Sequence, residues 1–346
     1  MKKAITFLLL AISITSQATV WRVNNNPGQN QYSGQQVFNN LQLAISNNLV
    51  VDGDTLYVEP STISYGDVVI NKRLHLIGAG YFLNLNPGLQ QNVQNSVVRS
   101  VTFEAGSSGS SLEGLYLFSG SNSSVTFSNT PLEDIVISRC YGVHVIFTNN
   151  ATNPISDITV KGNYLNQVLV GNNSAAISGL IIINNRLNDM NLGAHVNAVI
   201  VNNVIEDNVN IYGQPFYNNI CLGTTQSDLS QNNNSVTNIY NNIFVHPQPA
   251  WFTGNTNNTF GLTTAYIFAN YANPSTDGKF ALKPAGQCAE CYAGFPSGTQ
   301  LGIFGGAEPY KLSGIPPIPS VYQLQHPANV SPGGTLNITI STRSNN

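Results

Sequence analysis

Along most of this chain apolar residues alternate with polar ones, and the alternating runs end in asparagine pairs. Residues 177–188, ISGLIIINNRLN, are one such run. Related segments begin at Leu112 (LEGLYLFSG), Leu132, Ile155, Ile177 and Val196, with steps of 20, 23, 22 and 19 residues. A second alternating series, Val125-x-Phe127, Val145-x-Phe147, Val168-x-Val170, Met190-x-Leu192 and Val209-x-Ile211, keeps the same four steps. Two strand series sharing one irregular period predict a coil with at least two strands per turn. Stacking equivalent strands gives parallel sheets spaced roughly 4.8 Å per coil. The predicted architecture is therefore an all-β parallel β-helix, a solenoid with a continuous core. Leu115, Ile135, Ile158, Leu180 and Val199 should line one inner wall, with Leu117, Ile137, Val160, Ile182 and Val201 two residues on.

The asparagines then acquire a reason. Cys140, Asn163, Asn185 and Asn203 share one register, continued by Asn219 and Asn242. A sharp corner leaves backbone groups unpaired, and an inward amide can bond both these and the amide of the next coil. Asparagine also tolerates the left-handed backbone a tight corner requires. These residues are read as structural.

Composition agrees. Of 346 residues only 8% are charged and the formal net charge is −3, so no basic surface offers itself to nucleic acid. Polarity comes from neutral side chains, among them 48 asparagines. The opening MKKAITFLLLAISITSQA has two lysines, a short apolar stretch and a Ser-Gln-Ala end, the pattern of a secretory signal over residues 1–18. That stretch is too short to span a bilayer, and no later segment is long enough. The reading is export to the extracellular space or cell surface, as a monomer. Cys288 and Cys291 are close enough to bridge within a loop, whereas Cys140 and Cys221 lie several repeats apart and are read as buried thiols.

At residues 53–80, GDTLYVEPSTISYGDVVINKRLHLIGAG, the chain resembles the first coil of the right-handed parallel β-helix proteins, the pectate-lyase-like superfamily. Gly53-Asp54-Thr55 and Ile77-Gly78-Ala79-Gly80 carry the likeness. Ahead of them Val37, Phe38, Leu41, Ala44 and Ile45 share one helical face, and the resemblance implies a helix capping the open first coil. Residues 278–306 are similar to the closing coil of secreted relatives, with Ala285-Gly286-Gln287 and Leu301-Gly302-Ile303 departing from the usual Ser-Pro and Asp-Ile-Gly. The division that follows is a signal at 1–18, an N-terminal cap at 19–50 and a single-stranded right-handed β-helix at 51–306. Residues 307–346 are a Pro-rich linker and a short C-terminal β extension. That extension is either a strand pair over the last coil or a sorting tail.

The resemblance fixes no activity, because this fold hosts many. Lyases of the superfamily use carboxylates, often with calcium, and a basic residue; hydrolases use positioned carboxylates. Outward positions Tyr116, Val136, Thr159, Ile181 and Ile200, and Thr126, Ile146, Leu169, Asn191 and Asn210, supply neither. Asp134 and Asp157 read as corner residues, with Arg139 and Lys161 at the far ends of their strands. The tightest grouping is Arg186, Asp189, Glu206 and Asp207, a weak catalytic or calcium candidate; no other cofactor and no metal set is implied. Two insertions, after Asn219 and Asn242, leave at one offset and could wall a groove in which His246, Trp251 and Phe252 meet a sugar. The expectation is non-catalytic polysaccharide recognition or an extracellular structural role. The alternative is a polysaccharide lyase or other carbohydrate-active enzyme acting on acidic glycans.

Overall fold

The strands between Val20 and Phe260 pair in parallel, each with its equivalent one turn along the chain except Val37–Phe38. Val37–Phe38 is a strand and not part of the expected helical face, and it pairs on the outer edge of Val20–Val23. The computed structural model describes residues 18–28, 37–118, 123–147, 153–170, 177–231, 238–253, 256–273 and 275–345; the expected signal segment lies outside them, Ala18 apart. The strands build a parallel β-solenoid of about 8 turns. Its two sheets are called A and B here.

In sheet A one inward column reads Leu56, Leu76, Leu112, Ile137, Val160, Ile182, Ile200, Phe216 and Ile239, all fully buried. In sheet B the column Val101, Val125, Val145, Val168, Met190 and Val209 follows the expected steps. Beside it Phe103, Phe127 and Phe147 stack with ring centroids 5.4 and 4.6 Å apart. Stacking identical faces turn upon turn is what lets so thin a structure bury a core.

Two registers differ from the sequence reading. The Leu112 segment slides by five residues, because Leu112 pairs with Ile137 rather than Leu132. Leu115 and Leu117 remain buried, but Leu117 lies opposite Gly142 in sheet B. In the Val196 strand Ala198 and Ile200 face inward while Val199 lies opposite the outward Ile181. The cause is a bulge between Ile177 and Leu180, where Gly179 has φ 65°.

The corner ladder is present. The backbone N–H of Cys140 donates to Asn163 Oδ1 at 2.8 Å, that of Asn163 to Asn185 Oδ1 at 2.9 Å and that of Asn185 to Asn203 Oδ1 at 2.9 Å. Asn203, Asn219 and Asn242 continue it to Asn258, which the repeat reading had not reached. Asp134 and Asp157 are indeed corner residues, with φ of 56° and 55°.

At the N-terminal end the Gly-Asp-Thr motif acts through buried Asp54, whose carboxylate accepts from Thr19 N and Trp21 Nε1 at 2.7 and 2.8 Å and so ties in the first strand. The helix Leu41–Ser46 is N-capped by Asn40 and buries Leu41, Ala44 and Ile45.

Beyond Phe260 the chain leaves the coil. Among the described residues no strand between 261 and 319 joins either sheet, so residues 278–306 do not form a closing coil. They belong to a strap that returns along one corner of the solenoid toward its N-terminal end. Asn241 Nδ2 donates to Ala293 O, Asn218 Nδ2 to Phe295 O, Asn184 Nδ2 to Ile303 O, and an Arg139 guanidinium nitrogen to Ile315 O. As the strap number rises the solenoid number falls. The physical reason is the apolar outward column Val204, Ile220 and Ile243. Ile267, Phe268, Phe280, Leu301 and Ile303 of the strap cover it, together with the buried Cys288–Cys291 disulfide. Cys140 and Cys221 are buried free thiols, the Cys140 thiol pushed up to about 12 by desolvation.

The strap also relocates the C-terminal strand pair. Ser320–Gln325 and Thr339–Arg343 are antiparallel partners, but Val321 O accepts from Gln91 N and Arg343 donates to Leu89 O. The pair therefore sits by the early coils, not over the last one.

Candidate functional site

The pairing of Leu112 with Ile137 places Glu113 opposite Ser138, and Ser138 opposite Lys161, on the outer face of sheet A. The following residues Gly114, Arg139 and Gly162 are the left-handed corners, with φ of 64°, 51° and 61°. Arg139 thus stands at the rim with its Nε 3.5 Å from Glu113 Oε1. The strap supplies the facing wall from Ala307 to Lys311, and Pro317 closes one side. Between floor and wall lies a groove of about 530 Å³.

Its electrostatics are uneven. Burial pushes the Glu113 carboxyl above the ordinary range, against the opposing pull of Arg139, Lys161 and the Ser138 hydroxyl. Across the groove Lys161 Nζ lies 2.6 Å from Glu308 Oε2 and holds that carboxyl low, and Glu308 is 67% exposed. Lys311 lines the same space and makes no ion pair among the described residues. Three cations thus face two carboxylates.

The four residues grouped from sequence divide into two sets. Arg186 and Glu206 form an ion pair beneath the strap, where Glu206 also meets Lys279 at 3.3 Å and the Tyr271 hydroxyl at 3.3 Å. The Arg186 guanidinium lies 4.5 Å from the Tyr164 ring centre. Asp189 forms no ion pair with them among the described residues; partial burial raises its carboxyl, but hydrogen bonds from Asn208 and Asn188 and the Arg186 charge hold it low. Asp207 is exposed; desolvation and the charges of Asp189 and Asp228 raise its carboxyl. Among the described residues no three of His, Cys, Asp and Glu are grouped so as to hold a metal ion.

His246, Trp251 and Phe252 do not line a common groove. Phe252 is 2% exposed and packs on Phe260, while His246 is buried against Phe244 and Phe260. Trp251 alone reaches solvent, at 42%. The insertions do touch, through Gln226 and Gln248. Part of the first one, Leu229–Gln231, extends sheet B instead of walling a cleft.

Glu113 escaped the sequence reading because similarity of apolar runs aligned Leu112 with Leu132. The available signal was the corner itself: Glu113-Gly114 and Lys161-Gly162 share a charged residue before a left-handed glycine. No family model matches the chain, and neither a curated protein nor a solved structure does.

Proposed function

We propose that this is an exported, right-handed β-helix protein of the pectate-lyase-like type that binds an acidic polysaccharide in the Glu113–Lys161 groove. The observation that carries the reading is the excess of cationic groups, Arg139, Lys161 and Lys311, around a cleft on the outer face of a parallel sheet. A ligand carboxylate can replace exposed Glu308 on Lys161. The Cys288–Cys291 disulfide supports an oxidising compartment, and the helix Leu41–Ser46 suits a cap on the first coil. Titration of uronate-containing and neutral oligosaccharides into the mature protein tests the binding. Acidic chains should bind with strong salt dependence and lose about tenfold in Lys161→Ala and in Lys311→Ala, the loss of one charge-assisted contact. Equal affinity for neutral chains, or indifference to both substitutions, overturns it.

A second reading, a carbohydrate-active enzyme, is favoured by one observation. Glu113 and Glu308 line one groove from opposite walls, Glu113 on the sheet and Glu308 on the strap, and a pair of carboxyls is what glycosidic cleavage uses. New reducing ends or unsaturated products, abolished by Glu113→Gln, would establish it. Their absence over a panel of acidic glycans would leave binding alone.

A further inference from the structure

Beyond Lys161 the same outward column reads Ile183, Val201, Tyr217 and then Tyr240, one residue per rung. The Tyr217 and Tyr240 rings are stacked, 4.9 Å apart and within 4° of parallel. Phe295 of the strap stands upright beside them, its ring at 85° to Tyr217 and 84° to Tyr240. It is 55% exposed, and its backbone is anchored to the coil. Its N–H donates to Asn218 Oδ1 at 2.8 Å and its carbonyl accepts from Asn218 Nδ2 at 2.7 Å, while Asn241 holds Ala293 two residues back. Two flat rings and an upright third make an aromatic corner on a backbone that the strap bonds fix in place, with the Phe295 ring left open to solvent.

This corner borders a cavity of about 520 Å³ that runs along the sheet to Ala307, a residue that also lines the charged groove. No charged side chain lines it. From Lys161 to Tyr217 the distance is three strand spacings, roughly 14 Å. We infer that the corner of Tyr217, Tyr240 and Phe295 is a second subsite, which takes the apolar face of an uncharged sugar ring from a chain whose acidic part lies in the groove. The inference rests on the proposed acidic-glycan reading. The chemistry selects the occupant: an uncharged hexose presents C–H groups to an aromatic face and hydroxyls to its edges, whereas a uronate carboxylate would be desolvated here without a cation. Continuity with the charged groove on one face selects a linear chain carrying both kinds of ring.

Three ligands separate this subsite from the groove: a short purely acidic oligosaccharide, a longer one mixing acidic and neutral residues, and a neutral oligosaccharide. Phe295→Ala should weaken the mixed ligand about tenfold and leave the short acidic one unchanged, whereas Lys161→Ala weakens both. Phe295→Trp should retain the mixed ligand. Because Phe295 is largely exposed, its truncation should leave the melting temperature unchanged, which checks that a loss is local. If Phe295→Ala binds every ligand as the unaltered protein does while Lys161→Ala fails, the subsite is overturned and the charged groove stands. If Phe295→Ala abolishes neutral-chain binding and Lys161→Ala affects nothing, the aromatic corner stands and the acidic-ligand reading falls. Loss of self-association in Phe295→Ala with no change in glycan binding assigns the corner to a protein contact and overturns the inference.

Discussion

Asn184 and Asn185 are neighbours in sequence that hold opposite sides of the same wall. Asn185 points inward: its Oδ1 accepts from the backbone and side-chain nitrogens of Asn163, and its Nδ2 donates to Val160 O at 2.8 Å and Asn203 Oδ1 at 3.1 Å. Asn184, in the left-handed conformation at φ 55°, points outward and donates to Ile303 O and Gly305 O of the strap, both at 2.8 Å. The recurring Asn-Asn pair is therefore two devices in series. Replacing Asn185 by Ala leaves Val160 O and the Asn163 donors buried without their partner, and each orphaned group costs about 1–3 kcal/mol. Chemical denaturation should show a lowered midpoint at constant slope, and Asn185→Asp should be worse because a carboxylate cannot donate to Val160 O.

Asn184→Gly should separate the second device from the first. Glycine keeps the positive φ without strain and removes only the two bonds to the strap, each with a net worth of about 1 kcal/mol. Hydrogen exchange should accelerate around Ile303–Gly305 while the strands Ile177–Ile183 and Val196–Val201 keep their protection. Equal acceleration in both regions would mean that strap and coil open together.

How far the sequence discloses this molecule depends on which force sets each part. Sheet B was legible because inward Val125, Val145, Val168, Met190 and Val209 repeat a period set by burial alone. Ile182 over Ile200 was not, because one bulged residue at Gly179 shifts every side chain beyond it. The strap left a signal of a different kind: Val204, Ile220 and Ile243 are apolar at positions that face outward, which implies a cover without saying which segment supplies it. The charged groove needs both pieces of information at once. Glu113 reaches it through register and Lys311 through the strap's path, so no local pattern links the two.

Beneath the strap, Arg186 and Glu206 give a third expectation. Their side chains are 12% and 17% exposed, and Arg186 also donates to Leu165 O at 3.1 Å. Glu206→Ala strands a nearly buried guanidinium and removes the acceptor for Lys279 and Tyr271; breaking such a pair costs about 3–5 kcal/mol. Arg186→Leu combined with Glu206→Leu removes both charges and should recover most of that loss, an outcome readable from the denaturation midpoints of the single and double variants. A double variant as unstable as Glu206→Ala would show that stacking of Arg186 on Tyr164, not the ion pair, carries the site.

Glu113 sets the pH dependence of the groove. Its carboxyl titrates above the ordinary value of 4.5 in the folded protein because burial disfavours the charge more than Arg139 and Lys161 favour it. Between the unfolded and folded values the native state holds more of the proton than the unfolded chain, so stability falls as pH rises through that window. Below it the contribution is fully favourable; above it a constant penalty remains. Glu308, held low by Lys161, has the opposite sign, and its exposure makes its effect small. Glu113→Gln fixes the neutral form, so the difference in melting temperature between wild type and variant should shift in the variant's favour from acid to neutral pH. A difference in melting temperature that does not change with pH would mean that Arg139 and Lys161 compensate the cost of burying the charge completely.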